Sequence, residues 1–272
     1  MKRSIILSSA AVALALVTIS ASAADGLPTE QPKLVTIIKE SVKPGKNAEH
    51  AKHEAGWPAI FEKTKSTDYY VAITSMTGPN EAWYLIPRDS YAAEAESMKR
   101  EDKDKTLSAE LARLAERDSE FISGSCAVQT IGRPDLTVGK FPSIAKARFF
   151  HIGTYNIFPG KQQLFEEIAK AYGKAHQRAV PGASYRMYSV VAGMPGPAYI
   201  VISSVEDYAA FDKTMADEKA SWESATDEEK ALFHRLGEAV SKFEYNFFRV
   251  DPNQSYVSKE VRDSDPDFWL QK

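Results

Sequence analysis

SVKPGKNAEH at residues 41–50 and NIFPGKQQLF at residues 156–165 decide the fold of this chain. In each stretch, Pro-Gly-Lys follows an apolar, strand-like run and precedes residues with helical spacing. Proline and glycine end strands and open turns, so both stretches predict the same passage from strand to helix. The two turns lie 115 positions apart, from Gly45 to Gly160, which indicates that one structural unit occurs twice.

The segments around each turn predict the same elements in the same order. The first copy is predicted as strand 33–43, helix 47–64, strands 69–76 and 82–86, a helical region from 89 to about 120, broken near 104–106, and strand 123–131. The second is predicted as strand 148–158, helix 161–178, strands 184–192 and 198–203, helices beginning near 204 and 226, and strand 245–250. Tyr-Ala-Ala follows the third strand in both copies, at 91–93 and 208–210. The repeat therefore extends well beyond the turn.

A β-α-β-β-α-β order is that of a ferredoxin-like unit, an antiparallel sheet with helices on one face. The first strand is apolar on both faces, with Leu34, Ile38 and Val42 on one side and Val35 and Ile37 on the other. A sheet that is apolar on both faces must be covered on both. The predicted fold class is therefore α+β, with two tandem ferredoxin-like units packed sheet to sheet as an intramolecular pseudo-dimeric barrel.

The chain divides into five predicted segments. Residues 1–23 contain a basic start, an apolar run and Ala-Ser-Ala at 21–23, the pattern of a cleaved signal peptide. We therefore expect an exported protein, periplasmic or secreted, that does not contact the membrane after cleavage. The two units are predicted at 33–131 and 148–257, joined by a linker at 132–147 and followed by a C-terminal tail at 258–272.

Charge, cysteine content and motifs exclude several classes of function. The formal net charge is −3 and there is no basic tract, so nucleic acid is not an expected partner. Cys126 is the only cysteine and lies in a predicted strand, where we expect a buried and unreactive thiol. No nucleophile elbow, phosphate-binding glycine loop or dinucleotide fingerprint occurs, and no cofactor is predicted. A monomer and a homo-oligomer both remain open.

The order strand, Pro-Gly-Lys, helix, hairpin, long helix, strand resembles the dimeric α/β-barrel superfamily, which includes antibiotic-biosynthesis-type monooxygenases and NIPSNAP-like proteins. The resemblance covers nearly all of residues 33–257, as a tandem repeat in one chain, and depends on element order and the turn. It implies a ligand site between the helices and the sheet. Relatives include cofactor-independent monooxygenases, haem-handling enzymes, stress-response barrels and proteins with no known activity, so the fold alone does not select a function.

The candidate ligand-binding residues lie in the second copy. Alternation along the first strand of that copy places His151, Gly153 and Tyr155 on one face, which we assign to the helix side. Helical spacing on the following helix directs Tyr172 and His176 back toward this face. Gly153 has no side chain where the first copy has an isoleucine, and we expect it to leave room above the sheet. Space filling by the tyrosines and a hydrogen-bonded core role for the histidines are the structural alternatives.

The first copy has its own polar and aromatic stripe. His50, His53 and Trp57 follow helical spacing and share one face. Two histidines three apart can share a metal, but no third ligand is evident, and the spacing directs Glu49 and Glu54 elsewhere. We therefore predict no metal site, and a solvated or edge-packed histidine pair.

Three functions are consistent with these features. The first is an exported protein that binds a small, largely apolar molecule between the helices and the sheet of the second unit. The second is a cofactor-independent monooxygenase, with His151 or His176 as proton acceptor and Tyr155 or Asn156 near the developing oxyanion, although Asn156 points to the opposite face. A haem-handling role would require one of the same histidines as axial ligand. The third is a structural or interaction module without a ligand.

Overall fold

The computed structural model describes residues 29–270, so the predicted signal peptide lies outside the described residues. Eight antiparallel strands form a closed barrel. The strands are β1 (Leu34–Val42), β2 (Val71–Ser75), β3 (Glu81–Arg88), β4 (Ile122–Gly132), β5 (Phe149–Ile157), β6 (Arg186–Ala192), β7 (Ala198–Val205) and β8 (Val240–Val250). The α+β class is confirmed.

The strand order around the barrel is β1-β3-β2-β8-β5-β7-β6-β4. Within it, β4-β1-β3-β2 and β8-β5-β7-β6 have the same arrangement, four strands from each half of the chain. The two halves meet edge to edge, where β2 pairs with β8 and β4 pairs with β6. Closure in this way leaves no unpaired sheet edge.

The barrel interior is a continuous apolar core. Ile37, Ile73, Ile152, Ile200 and Phe248 point inward from five different strands and are fully buried. These strands are rich in β-branched residues, which pack well on a pleated surface. The interior face thus stabilises the barrel.

The helices lie outside the barrel. They are α1 (Asn47–Glu54), α2 (Gly56–Thr64), α3 (Tyr91–Lys103), α4 (Lys105–Asp118), α5 (Gln162–Ala179), α6 (Ala210–Ser224), α7 (Asp227–Phe233), α8 (Leu236–Ala239), α9 (Lys259–Ser264) and α10 (Pro266–Trp269). The predicted break near residue 104 is confirmed, because the Asp104 side chain accepts hydrogen bonds from Thr106 N and Leu107 N and caps α4. The capping box at Thr226 is also present. None of the helices between residues 29 and 270 has the length and hydrophobicity of a membrane span.

Several local predictions differ from the structure. The helix expected near residue 204 begins at Ala210, since β7 continues to Val205, and the last strand begins at Val240 rather than at 245. Cys126 is exposed rather than buried. Within the predicted linker, 132–147, Leu136 and Ala145 are buried.

The chain after β8 returns to the first half. Tyr256 pairs with Tyr70 next to β2, which ties the end of the second half to the first. In α10, Trp269 is buried and its Nε1 donates a hydrogen bond to the carbonyl oxygen of Ala145 at 2.9 Å. The C-terminal segment therefore packs against the core, with Trp269 as its apolar anchor.

Candidate functional site

The outer face of the second half carries a row of aromatic side chains. His151, Gly153 and Tyr155 point to the helix side of β5, as predicted. Their partners across β8 are Phe247, Tyr245 and Phe243, respectively. We call Phe243, Tyr245 and Phe247 the aromatic row. The equivalent positions of β4, opposite Thr36, Ile38 and Glu40, are Gln129, Ala127 and Ser125. Only the second half therefore has aromatic side chains along this face of its last strand.

The aromatic row packs against the predicted residues of β5. The ring centroid of His151 lies 4.4 Å from that of Tyr245 and 4.8 Å from that of Phe247. Tyr155 lies 4.5 Å from Phe243, again between ring centroids. The hydroxyl oxygens of Tyr155 and Tyr245 are 2.9 Å apart and form a hydrogen bond. The face therefore combines apolar rings with one hydrogen-bonded hydroxyl pair.

Position 153 has no room for a side chain, because the Tyr245 ring lies against the glycine. A Cβ atom at this position would be 2.7 Å from a ring carbon of Tyr245 and 2.8 Å from Cγ1 of Val201. Both distances are well inside van der Waals contact. The predicted void above Gly153 is therefore filled by the Tyr245 ring. In the first half the exchange is reversed, with a large residue, Ile38, on the first strand and a small one, Ala127, on the last.

Tyr172 and His176 form a second group on α5. Their rings stack with centroids 5.5 Å apart, and the ring of Tyr185, just before β6, lies 6.0 Å from that of His176. The Ser221 hydroxyl donates to the carbonyl oxygen of Asp217. His176 Nδ1 must therefore donate to Ser221 Oγ at 2.7 Å, which leaves Nε2 as the nitrogen with the lone pair. The structure thus places the predicted residues in two adjacent groups rather than in one.

These groups are electrically neutral near pH 7. Burial lowers the pKa of both His151 and His176, so both imidazoles are uncharged. Burial raises the pKa of Tyr155 well above its usual value, and the neighbouring hydroxyl of Tyr245 adds to this effect. The pKa of Tyr172 is also raised, by burial first and then by Glu218 of α6. The face offers hydrogen-bonding groups without formal charge.

Two helices pack against this face, one near each end of the row, and leave part of it exposed. Phe165 of α5 lies 5.2 Å from Tyr155, and Phe211 of α6 lies 4.5 Å from Phe247, both between ring centroids. Between these two contacts, 45 % of Phe243 and 41 % of Tyr245 remain exposed. We call this partly open region the aromatic cleft. Strand alternation identified its β5 side, whereas the aromatic row of β8 was missed. Phe243 lay outside the predicted last strand, 245–250, and the pairing of Tyr245 and Phe247 with β5 depends on a register between residues far apart in sequence.

The first half contains a buried polar cluster that the sequence analysis missed. Its members are Glu40 of β1, His50 and Glu54 of α1, Tyr84 of β3 and Gln254. Nε2 of His50 donates a hydrogen bond to Oε2 of Glu40 at 2.9 Å, and Oε1 of Glu54 lies 4.0 Å from the same nitrogen. The predictions that His50 is solvated or edge-packed and that Glu54 points elsewhere are therefore wrong. The i, i+4 spacing of His50 and Glu54 was a usable signal, since it places both on one helix face.

The electrostatics of this cluster differ from those of the aromatic cleft. Burial, and then the adjacent Glu40 carboxylate, raise the pKa of Glu54 to about 8. Burial also raises the pKa of Tyr84 well above its usual value. His53 lies next to the cluster and donates through Nε2 to Oδ1 of Asp118 at 2.8 Å. His53 also lines an open surface cleft, together with Phe121, the residue before β4.

Comparisons with known proteins support the fold alone. No protein-family model matches the chain, and no curated protein is similar to it in sequence. A presumed monooxygenase of Fusobacterium nucleatum has a similar structure, with a TM-score of 0.53 and 11 % identity over 80 % of this chain and 91 % of its own. For a presumed monooxygenase of Lactobacillus acidophilus, the TM-score is 0.51 and the identity 8 %, over 81 % of this chain and 94 % of its own. For an anthrone oxidase-like protein, the TM-score is 0.50 and the identity 18 %, over 85 % of this chain and 96 % of its own. The resemblance to the dimeric α/β-barrel superfamily is thus confirmed at the level of fold.

Proposed function

We propose that this protein binds a small, planar, largely apolar molecule in the aromatic cleft of its second half. The observation that carries the proposal is the partly exposed aromatic row of β8, where the first half has Ser125, Ala127 and Gln129. Exposed aromatic rings beside each other cost free energy in water, so a row of them in a gap between helix and sheet favours a ligand. We further propose that the two halves are tandem copies, one of which retains this ligand site.

The chemistry of the cleft selects the type of ligand. The Tyr155 and Tyr245 hydroxyls share one hydrogen bond, which leaves one O–H and the remaining lone pairs for a ligand hydroxyl or carbonyl. The lowered pKa values of His151 and His176 leave both imidazoles uncharged near pH 7, so neither compensates an anionic ligand for its lost hydration. A planar ring system with one or two oxygen substituents meets both conditions.

The exposed rings supply enough free energy for measurable binding. An aromatic side chain presents about 200 Å² of surface, so the exposed parts of Phe243 and Tyr245 together amount to about 170 Å². Covering this area contributes about 4 kcal/mol at about 25 cal/mol per Å², with a similar area buried on the ligand. One hydrogen bond to the hydroxyl pair adds about 1 kcal/mol, and immobilising the ligand costs at least about 4 kcal/mol, so we expect a dissociation constant on the order of 0.2 mM.

Binding of 2-naphthol, a fluorescent planar phenol, tests the proposal. Phe243→Ser installs the residue of the first half at an exposed position, and Tyr245→Phe removes only the hydroxyl. We expect Phe243→Ser to weaken binding about 10-fold and Tyr245→Phe about 5-fold, by loss of ring contact and of one hydrogen bond, respectively. Tyr91→Ala is the matched control, because Tyr91 is an exposed aromatic residue of the first half. Equal affinity in all four proteins would refute the proposal.

Cofactor-independent oxygenation is a second candidate. Proteins of this fold include presumed monooxygenases and an anthrone oxidase-like protein. His176 offers an unprotonated Nε2, and its lowered pKa keeps it in the neutral form that accepts a proton. Anthrone as substrate, with oxygen consumption followed by an electrode, tests this function. Oxygen uptake by the protein that is lost in His176→Gln supports it, and no uptake above the uncatalysed rate excludes it for this substrate class.

A further inference from the structure

The buried polar cluster of the first half has the composition of a metal site. Glu40, His50 and Glu54 are 6 %, 2 % and 3 % exposed, respectively. Their ligand atoms, one carboxylate oxygen from each glutamate and an imidazole nitrogen, all lie within 4.8 Å of one another. Glu40 comes from β1 and the other two from successive turns of α1, so the sheet and the helix hold the three atoms from opposite sides.

One ligand atom of this cluster has no partner. Oε1 of Glu54 is buried and accepts no hydrogen bond, although it points to within 4.0 Å of Nε2 of His50. A buried carboxylate oxygen without a hydrogen bond costs free energy comparable to a lost charged hydrogen bond. A structural role for the His50–Glu40 pair accounts for those two side chains. It does not account for Glu54.

Within residues 29–270, the two glutamates of the cluster also lack a lysine or arginine partner, and His50 is their shared basic neighbour. Two buried carboxylates beside each other are stable when a cation or protons compensate them. A divalent cation bound between them compensates both at once.

The spacing of the ligand atoms fits a first-row divalent ion. Zinc takes imidazole nitrogen and carboxylate oxygen at about 2.0–2.2 Å, which places two tetrahedral ligands about 3.4 Å apart. This value lies between the two separations measured from Nε2 of His50, 2.9 Å to Glu40 and 4.0 Å to Glu54. A mixed nitrogen and oxygen set favours Zn²⁺, Mn²⁺ or Fe²⁺ over Ca²⁺ and Mg²⁺, which prefer oxygen alone.

The surroundings provide an outer shell and a route of entry. The Tyr84 hydroxyl lies 3.4 Å from Oε2 of Glu40 and 3.3 Å from Oε1 of Gln254, so it can orient the Glu40 carboxylate. His53 and Asp118 form a second group with Glu54, with ligand atoms again within 4.8 Å. His53 also lines the open surface cleft, so a cation can reach this second group from solvent. Glu54 belongs to both groups and therefore connects the second group to the buried cluster.

We propose that Glu40, His50 and Glu54 bind one first-row divalent metal ion between β1 and α1. The metal binds the lone pair on Nε2 of His50, whose proton moves to Nδ1 of the same neutral ring. It takes Oε1 of Glu54 as its third protein ligand, and the proton of the Glu54 carboxyl is released to solvent. This site is separate from the aromatic cleft, since all three ligands belong to the first half of the chain.

Cobalt binding tests the proposal. The protein is prepared without a polyhistidine tag, stripped with a chelator, returned to chelator-free buffer and titrated with Co²⁺, followed by visible absorption. We expect one Co²⁺ per chain, displaced by Zn²⁺. Glu54→Gln and His50→Gln should each lower the affinity about 100-fold, whereas Glu49→Gln, an exposed change on the same helix, should leave it unaltered.

The outcomes separate the proposal from its alternatives. No binding by the wild-type protein at millimolar Co²⁺ overturns it, as does equal binding by Glu54→Gln. X-ray absorption of the zinc-loaded wild-type protein does not depend on any variant folding. Coordination by one imidazole and by oxygen atoms supports the site, whereas two or more imidazoles would assign the metal to other histidines.

Discussion

The exchange of large and small residues between Gly153 and Tyr245 makes a quantitative prediction. In Gly153→Ile, the added Cβ alone meets the Tyr245 ring at 2.7 Å and Val201 at 2.8 Å. Overpacking of this kind costs about 1–3 kcal/mol, and we expect about 3 kcal/mol because two neighbours must move. Tyr245→Ala removes a ring that is 41 % exposed, so about 120 Å² of buried surface is lost, at a cost of about 3 kcal/mol.

The double variant restores the arrangement of the first half, where Ile38 lies opposite Ala127. The isoleucine then fills the space that the tyrosine ring leaves, so the two costs offset each other. Instead of about 6 kcal/mol, the sum of the single changes, we expect a loss of about 2–3 kcal/mol and hence a coupling energy of about 3 kcal/mol. The coupling arises only if both side chains compete for one space.

Urea denaturation, followed by far-ultraviolet circular dichroism and by tryptophan fluorescence, measures this cycle. Gly153→Ile combined with Trp222→Ala is the control, because Trp222 of α6 contacts Phe233 and His234 rather than the glycine. The control pair should be additive to within about 0.5 kcal/mol. Additive losses for Gly153→Ile and Tyr245→Ala would refute the assignment of a shared space, and with it the packing of the aromatic cleft.

Three further predictions concern other parts of the chain. Trp269→Ala should lower the free energy of unfolding by about 3–5 kcal/mol, because it removes a buried ring and its hydrogen bond to Ala145, whereas exposed Leu270→Ala should change it by less than about 0.5 kcal/mol in the same urea experiment. Burial lowers the pKa of His151 below 6.5, so below that pH the unfolded chain binds a proton that the folded chain does not. Stability should fall as the pH is lowered from about 7.5 to about 5, and His151→Phe should reduce this slope in urea titrations at several pH values; an unchanged slope would contradict the assignment. Mass spectrometry of the protein from its native host should show a chain beginning near Ala24, and a chain that retains residues 1–23 would contradict the signal-peptide prediction.

Much of the fold was predictable because it depends on local patterns. The two Pro-Gly-Lys turns, the strand alternation and the helix break near Asp104 are signals within a few residues, and each agrees with the structure. The barrel was predictable from the sequence, but the order of its strands was not. Its pairing of β2 with β8 and of β4 with β6 joins residues far apart in sequence.

The candidate sites were predictable only in part. Strand alternation placed His151 and Tyr155 on the correct face, but it could not show that Tyr245 occupies the space above Gly153, which depends on the register between β5 and β8. The cluster around His50 needed a helix face and a strand face to be combined. The sequence analysis considered α1 alone and predicted that His50 is solvated or packed at an edge. In the structure, His50 lies against Glu40 of β1.

A crystal structure with a brominated ligand tests the central claim most directly. Crystals soaked with 6-bromo-2-naphthol give an anomalous signal that locates the bromine independently of the rest of the map. The account predicts a bromine peak between α5, α6 and β8, with the naphthol ring within about 4 Å of Phe243 and Tyr245 and its oxygen at the Tyr155–Tyr245 hydroxyl pair. A peak only elsewhere on the molecule, or none at a concentration that saturates the fluorescence signal, would contradict the account.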